Sequence, residues 1–517
     1  MADSPNNLLA AIDIGASSIR MDVAEVTSEG RLHILDALKK GVQLGKDTFT
    51  DGSVGEDSIR ATCEALRDFK KIMDTYGVVR YRAVATSAVR EAYNRDTFLD
   101  RVLMSTGLDI EVIDGSEENR LTYTAVLESL RGGPDVSQGQ TLLVEAGGGS
   151  ADVTMLTNGE LLQSGTFPLG SIRLRASVGA AAGSHAQEIR LLKAQIANIV
   201  TGIRRTLPIQ QAANYVAVGG DVRLAARIAL GVKRDQGALE LPREKFGEFV
   251  DSVSKLTIDQ LVRKYSLSYL DAETLVPASL TYLALLMATS AQSVIISDAS
   301  IRLGILLDLI PTAEKDRLTN LSHQILSAAR GLGRKYQYDE GHADRVKELA
   351  ELLFENLRGE QHMTETHRLY LQVAALLHDI GLFISSRSHH KHSYYLISQS
   401  DLFGLRRKEL EIIANIARYH RRALPQQSHA PFMALDRDER MIVSKLGAIL
   451  RVANSLDKEH RQKLADLKVT REGDQLVLLA RTMSDLTMER LALASRSDFF
   501  IQVFGRKIVL REGSTHP

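Results

Sequence analysis

The sequence predicts an α/β protein: two similar α/β domains, then an all-helical region, then a small α/β domain at the C-terminus. Three observations carry this reading. An acid-tipped glycine turn between two apolar runs occurs twice in register. Strand-like and helix-like periods alternate to about residue 310, and beyond Pro311 the period is helical. We place the domains at 1–132, 133–310, 316–465 and 466–517.

The first of these turns to consider is Thr141-Leu-Leu-Val-Glu145-Ala-Gly147-Gly148-Gly149-Ser150-Ala-Asp152-Val-Thr-Met-Leu156. An apolar run ends in a carboxylate, three glycines follow, and a second strand-like run departs. Glycines there leave backbone N–H groups with no side chains in front of them. The turn can then wrap an anionic oxygen cluster while the acid holds a divalent cation against it. A glycine-rich hairpin without a ligand would read the same. However, Leu8-Leu-Ala-Ala-Ile-Asp13-Ile-Gly15-Ala-Ser17-Ser18-Ile-Arg20-Met-Asp22-Val23 repeats the pattern at a constant offset. Asp13 meets Glu145, Gly15 meets Gly147 and Ser18 meets Ser150. Two phosphate-gripping hairpins, one per half, imply two domains facing each other across a cleft.

At 517 residues the chain exceeds a single core and implies three or four domains. No apolar run approaches the roughly 18–20 residues of a membrane span, and residues 1–7 are no signal peptide. The single cysteine, Cys63, excludes an internal disulfide, and the cytoplasm is the expected compartment. Formal net charge is zero, so a polyanion must be held by locally segregated positive charge, and DNA is not an expected partner.

Residues 8–14 and 18–26 read as paired strands, 31–38 as a third, and 56–75 as a helix. A strand over 81–86 leads into Ser87-Ala-Val-Arg90. Residues 95–106 are helical and 110–113 form a short strand. A helix then opens at Asp114-Gly115-Ser116-Glu117-Glu118-Asn119-Arg120-Leu121, with Ser116 as its expected N-cap, and runs to about 130. Gly132-Gly133-Pro134 breaks the chain. In the second half we expect a long helix at about 185–206, and a strand from Tyr215 delivering Gly219-Gly220-Asp221 to a helix start. A helix over 271–290, a strand over 294–297 and a helix containing Arg302 follow. Residues 316–460 read as helix after helix, with Pro425 and Pro431 in a loop. Strands at 469–471, 475–480 and 499–510 surround a helix near 486–494.

Asp13 and Glu145, at the hairpin lips, can position Mg²⁺ (or Mn²⁺) on a phosphate chain if the turns face each other, with Asp152 as an outer-shell acid of that metal site. The alternative is that each acid caps its own turn. Glu117 and Glu118 lie in a first helical turn, where the dipole favours anions in any case. A mechanistic reading makes Glu118 the general base that orients a water for in-line attack on a terminal phosphoryl group. Arg20 and Arg90 are forks suited to phosphate oxygens, beside the turn residues Gly15, Ser17, Ser18, Gly147, Gly148, Gly149 and Ser150. Gly219-Gly220-Asp221 admits a nucleotide base or sugar, or simply lets a helix pack on a strand, which is the reading we favour. No GxxxxGK[ST] loop, GxGxxG fingerprint or GxSxG elbow is present.

In the helical region His342, His378-Asp379 and the Arg451-Val-Ala-Asn454-Ser-Leu-Asp457 segment form a spaced His…His-Asp…acid set. Imidazole plus carboxylate suits Mn²⁺, Fe or Zn, and a hydrogen-bonded histidine cluster is the alternative. From 387 to 422 eight Lys/Arg stand against three acids, which makes this stretch the best candidate for a positive patch holding a long anion.

These residues resemble the exopolyphosphatase/guanosine-pentaphosphate phosphohydrolase (Ppx/GppA) family of the actin–sugar kinase–Hsp70 (ASKHA, ribonuclease H-like) superfamily. The resemblance is carried by Ala-Ile-Asp13-Ile-Gly15-Ala-Ser-Ser18, Ala85-Thr-Ser-Ala-Val-Arg90-Glu-Ala-Tyr-Asn94, Gly115-Ser-Glu-Glu118-Asn-Arg120-Leu121 and Glu145-Ala-Gly-Gly-Gly-Ser150-Ala-Asp152. Weaker echoes are Phe167-Pro-Leu-Gly170-Ser-Ile-Arg173-Leu and Ser297-Asp298-Ala-Ser-Ile-Arg302-Leu-Gly304. The C-terminal region resembles the HD-type helical domain of long family members. The resemblance implies two actin-like domains, an all-α HD-type domain and a small α/β domain. It further implies Mg²⁺-dependent removal of the terminal phosphate from inorganic polyphosphate, or conversion of pppGpp to ppGpp. Glu118 would be the base, Asp13 a metal or phosphate ligand, Arg90 a phosphate contact, and the likeness to relatives implies a homodimer. The family pattern has Asp where this chain has Glu145, and Glu where it has Asp152. Its first motif reads Gly-Ser-Asn-Ser against Gly15-Ala-Ser-Ser18 here. Metal-dependent HD enzymes commonly place Asp at the position of Asn454, for which Asp457 would substitute beside His342, His378 and Asp379. An exopolyphosphatase is the leading expectation. A pppGpp phosphohydrolase, a non-catalytic polyphosphate or (p)ppGpp sensor, and a phosphohydrolase run from the HD domain are the alternatives.

Overall fold

A computed structural model describes residues 7–27, 29–131, 138–179, 183–232, 237–310, 314–421, 423–464, 466–482 and 484–512. The expected break at Gly132-Gly133-Pro134, together with Pro311 and Arg422, lies outside them. The chain forms two compact units, 1–321 and 322–517.

The first unit holds two sheets. One contains β1 (Leu8–Ile14), β2 (Ser18–Val26), β3 (Leu32–Gly41), β4 (Arg80–Ala85) and β5 (Glu111–Val112), in the order β3-β2-β1-β4-β5. The other contains β6 (Gln140–Ala146), β7 (Ala151–Thr157), β8 (Glu160–Phe167), β9 (Asn214–Val218), β10 (Leu239–Pro242) and β11 (Ser293–Ile296), in the order β10-β11-β9-β6-β7-β8. Read from β8, the second sheet repeats the first. A three-stranded antiparallel meander is followed by two strands that join in parallel, β1 with β4 and then β5, β6 with β9 and then β11. The repeat seen in the turns is therefore a repeat of topology. Inner strands covered on both faces must be apolar along their length. Leu9 to Ile12 and Leu142 to Val144 are accordingly buried.

Among the described residues one helix, Tyr269–Met287, is long and apolar enough to cross a membrane by length and composition, which the sequence reading did not expect. Asp271 lies in its first turn and Glu273 two residues on. Two-thirds of the apolar window is buried, with Leu275, Tyr282, Leu285 and Leu286 in the core behind the second sheet.

The helix Gly115–Ser129 is capped by Asp114, not Ser116. The Asp114 carboxylate accepts from the Glu117 amide at 3.0 Å, and Ser116 donates to it at 2.8 Å. An Asx cap one residue before glycine outcompetes a hydroxyl inside the first turn. This helix packs closely on Ile301–Asp308, where a Cβ on Gly304 would overlap the Leu121 carbonyl. Elements the sequence reading did not mark include the helices Leu44–Asp51, Ser171–Gly179 and Arg243–Val253, and strand β10.

In the second unit the main helices are Glu340–Gln361, Glu365–Leu377, His389–Ser398, Arg407–Arg418 and Arg437–Leu456. Pro431 sits inside the short helix Ala430–Met433 and not in a loop. The last segment pairs β12 (Asp466–Glu472) antiparallel with β13 (Gln475–Arg481), which runs parallel to β14 (Lys507–Glu512). The expected strand over 499–510 is instead the helix Asp498–Phe504 followed by β14. Phe500 and Phe504, one helical turn apart, pack with tilted rings 4.6 Å between centroids, and Gly505 at φ 67° ends the helix. Fully buried Arg451 ties this segment to the helices. It donates to the Tyr419 and Ala423 carbonyls at 3.1 and 2.5 Å and lies over the Phe499 ring at 4.9 Å.

Candidate active site

The two glycine turns meet. Each closes in the same way, Gly15 N to Ser18 O at 3.0 Å and Gly147 N to Ser150 O at 2.9 Å. Carbonyls of each turn are engaged from behind. Ala16 and Ser17 accept from Gly45 and Val42, and Gly147 and Gly148 accept from Ser171, Ile172 and Arg173. A Cβ on Gly148 would lie 2.9 Å from Ala16 Cβ, so one turn abuts the other. Gly170 approaches the Gly148–Gly149 backbone so closely that a side chain there would overlap it. Arg173 fastens the second turn by donating to Gly149 O at 2.5 Å, to both Glu91 oxygens at 2.6 and 2.7 Å, and by lying over Phe49 at 4.0 Å.

Between the turns lies a polar cavity of about 120 Å³. Asp13, Gly15, Ser17, Ser18, Arg20, Glu118, Glu145, Gly147, Gly148, Gly149, Ser150 and Asp152 all line it, joined by Thr86, Ser87 and Gly219-Gly220-Asp221. The acids sit at strand ends, Asp13 on β1 paired with Arg20 on β2, and Glu145 on β6 paired with Asp152 on β7. Burial raises all of their proton affinities. Glu145 is pushed up to about 7 by burial, then by Glu118 and Asp13, against a hydrogen bond from Thr122. Asp152 is raised well above the carboxylate range by burial and Glu118. For Asp13 burial outweighs the guanidinium charges of Arg302 and Arg20. With Glu118 and Asp221, five carboxyls face one lining arginine, an arrangement that cannot hold a polyanion without added cations. Such crowded oxygen donors suit a hard divalent cation such as Mg²⁺.

Glu117 and Glu118 separate cleanly. Glu117 turns into a buried network in which Arg120 grips it at 2.7 and 2.9 Å and Arg82 at 2.8 Å, while both arginines also pair with Asp308. Burial raises its pKa, but the two guanidinium groups outweigh that and hold it at about 2. Glu118, one residue on, reaches the cavity. Arg90 is not on the cavity wall. It donates at 2.6 Å to Glu118 and at 2.6 Å to Ile113 O, so it orients the Glu118 carboxylate from behind. Burial raises the Glu118 pKa, Arg90 opposes this, and Asp13 and Asp114 add to it.

Two contributors, Arg302 and Tyr282, escaped the sequence reading as site residues, and a third, Gly219, is read there chiefly as packing. Arg302 pairs with Asp22 at 2.9 Å and reaches Asp13 at 3.9 Å. Tyr282 accepts from Ala146 N at 2.8 Å and donates to Val218 O, pinning the ends of β6 and β9 under the cavity. Gly219, at φ 135°, lies where a Cβ would meet the Tyr282 hydroxyl at 2.8 Å, so it serves packing and lining together. The echo motif around Arg302 and the Gly219-Gly220-Asp221 turn point at two of them, and nothing in the sequence points at Tyr282.

Residues 23–313, more than half of the chain, match the Ppx/GppA phosphatase family. The chain belongs to that family. Residues 326–493 match Ppx/GppA phosphatase domain III. Over 486 residues, 91% of each chain, the sequence is 24% identical to a guanosine-5'-triphosphate,3'-diphosphate pyrophosphatase of Vibrio campbellii. The Ppx/GppA family member of Aquifex aeolicus shares the fold, with TM-score 0.50 and 24% identity over 59% of this chain and 98% of that one. An exopolyphosphatase from Cytophaga hutchinsonii does so with TM-score 0.53 and 21% identity, covering 58% of this chain and 98% of that one. The chain is thus an enzyme of the phosphatase class, with the actin-like α/β fold of Ppx/GppA structures.

In domain III the structure gathers His342, His378 and Asp379 with two residues the sequence reading left in the charged stretch, His389 and His420. Asp457 accepts from His342 Nδ1 at 2.8 Å and from Gln462 N at 2.8 Å, which places it behind His342. The basic stretch is partly self-engaged. Arg418 stacks over Tyr394 at 5.5 Å, and Lys408 pairs with Glu439 at 2.6 Å.

Proposed function

We propose that the cleft of the first unit hydrolyses the terminal phosphoanhydride of inorganic polyphosphate, with Mg²⁺ (or Mn²⁺) held by Asp13, Glu145 and Asp152. The observation that carries this reading is the cavity itself: two glycine turns, five carboxyls and one arginine, with no aromatic side chain among its lining residues. That lining suits a phosphate chain end better than a purine, which would call for a stacking face. The bound cation would neutralise charge on the phosphate oxygens. The Gly15–Ser18 and Gly147–Ser150 turns grip phosphate oxygens by their backbones, and Arg20 adds a fork. Glu118 takes a proton from water as the water oxygen bonds to the terminal phosphorus. The bridging P–O bond breaks, orthophosphate leaves, and the chain is one unit shorter. Burial gives the Glu118 carboxylate the proton affinity a base needs, and Arg90 keeps it aimed.

A second reading, hydrolysis of pppGpp to ppGpp, is supported by the name of the full-length Vibrio relative. Phosphate release from polyphosphate and from pppGpp, measured in parallel with Mg²⁺, separates the two. Turnover of pppGpp alone would overturn the first reading, and binding of either without turnover would favour a sensor. In either case Glu118→Ala should lower release by about 10²–10⁴-fold; undiminished activity would remove Glu118 from the mechanism. A homodimer and a cytoplasmic location are further parts of the proposal, tested by sedimentation and by fractionation.

A further inference from the structure

Four histidines of the second unit have one ring nitrogen committed. His378 Nδ1 lies 2.7 Å from Ala375 O, His420 Nδ1 2.6 Å from Ala417 O, His389 Nδ1 3.3 Å from Ser386 O, and His342 Nδ1 2.8 Å from the Asp457 carboxylate. A carbonyl or carboxylate oxygen only accepts, so each Nδ1 carries a proton, and the neutral form of each ring presents its lone pair at Nε2. Those lone pairs converge. His389 Nε2 and His420 Nε2 are 3.2 Å apart, and both approach Asp379 Oδ1, at 3.1 and 3.3 Å. His378 Nε2 lies 3.5 Å from Asp379 Oδ2. His342 Nε2 and His378 Nε2 are buried with no hydrogen-bond partner among the described residues.

Two imidazole lone pairs and a carboxylate oxygen facing one another repel unless something positive stands between them. Ligand atoms about 2.0–2.1 Å from a tetrahedral ion lie roughly 3.3–3.4 Å from each other. The triangle of Asp379, His389 and His420 has edges of 3.1, 3.2 and 3.3 Å. The second-shell pattern, every ligand ring tied at its far nitrogen to an oxygen, is the one that holds metal-binding histidines in orientation. Gly381 brings the pieces together. A Cβ there would overlap His389 O and crowd Ser393, so only glycine lets the turn after Asp379 lie against the His389–Ser398 helix. Asp379 keeps 19% of its side-chain surface exposed, which leaves the site open to solvent on one side.

We propose that Asp379, His389 and His420, with His378 and His342 facing the same space, bind a divalent transition-metal ion of the Mn–Fe–Co–Zn group, separate from the oxygen-lined cleft of the first unit. Soft-to-borderline nitrogen donors select against Mg²⁺. Asp457 is a positioning residue that fixes the His342 tautomer.

The test is a Co²⁺ titration of the full-length chain, chelator-stripped and kept in excess Mg²⁺. The expected result is a visible d–d absorption band saturating at one or more ions per chain, with elemental analysis of untreated protein showing a bound transition metal. His420→Gln should abolish the band. Asp457→Asn should weaken Co²⁺ affinity by about 10–100-fold, and Glu145→Gln, in the cleft, should leave it unchanged. No Co²⁺ band from the wild-type chain overturns the proposal, and that result does not depend on whether any variant folds. An unaltered titration in His420→Gln, or a band lost in Glu145→Gln instead, overturns it as well.

Discussion

Glu145 sets a pH dependence whose sign and size follow from the site. Its carboxyl titrates near 7 in the folded chain against an ordinary value of 4.5, because burial and the neighbouring Glu118 and Asp13 penalise its charge. The folded state therefore holds a proton that the unfolded state has released, and stability falls as pH rises from about 4.5 through 7. At 1.36 kcal/mol per unit, the full shift amounts to at most about 3 kcal/mol, of which roughly 2–3 kcal/mol develops between pH 5 and 8. Asp13, Glu118, Asp152 and Asp221 are raised in the same direction and add to the slope. The assay is thermal unfolding of the metal-free chain at pH 5, 6, 7 and 8, with and without Mg²⁺. The first unit's transition should move down by a few degrees across that range. Mg²⁺ should restore more at pH 8 than at pH 5, since it binds the ionised acids. Glu145→Gln should flatten the metal-free slope and shrink the Mg²⁺ response. A slope of opposite sign, or one untouched in Glu145→Gln, would refute the reasoning.

Glu117→Gln strips one partner from the buried Arg82–Glu117–Arg120–Asp308 network, so it should cost about 3–5 kcal/mol of stability, read as a lowered unfolding midpoint with KM unchanged; a wild-type midpoint would contradict the network. Gly148→Ala forces the two turns apart where Ala16 Cβ stands 2.9 Å away; phosphate release should drop at least about tenfold while circular dichroism stays native. Arg90→Ala removes the charge that opposes burial at Glu118. The base then ionises at higher pH, and the acidic limb of the kcat/KM profile should move upward; an unmoved limb would assign Arg90 another role.

The fold was legible where the signal was local. The strand over 8–14, the helix over 95–106 and the long helix near 185–206 follow from period and turn chemistry within one window. The facing of the turns was legible because the repeat encodes it. What no window holds is partner choice across long separations. Arg302 reaches Asp13 from the other end of the first unit, and Tyr282 reaches Ala146 and Val218 from a helix whose sequence shows only a period. The run His389-His390-Lys391-His392 reads as part of a positive patch for a long anion, yet successive residues on a helix point about 100° apart, and burial singles out His389. Spacing alone does not separate Glu117 from Glu118; Arg82, from β4, and Arg120, three residues on along the same helix, claim the first.

The repeat is also broken at one rung, and that break bears on where the cleft is polarised. Asp13 stands opposite Arg20, whereas Glu145 stands opposite Asp152 at the same position of the second sheet. Directly opposed side chains of an antiparallel pair share a face. The first half therefore brings a nearly self-neutral pair, further compensated by Arg302, and the second brings two acids with a third, Glu118, beside them. Two acids on one rung are relieved either by a bound proton, as their raised pKa values express, or by a cation between them. Under the proposed function the cation belongs chiefly to the second repeat and the phosphate fork to the first. Exchanging the methylene between Glu145 and Asp152 relative to the family pattern, Glu for Asp and Asp for Glu, keeps the summed reach of that rung across β6 and β7. Under that proposal the two departures from the pattern the resemblance implies are one compensated change.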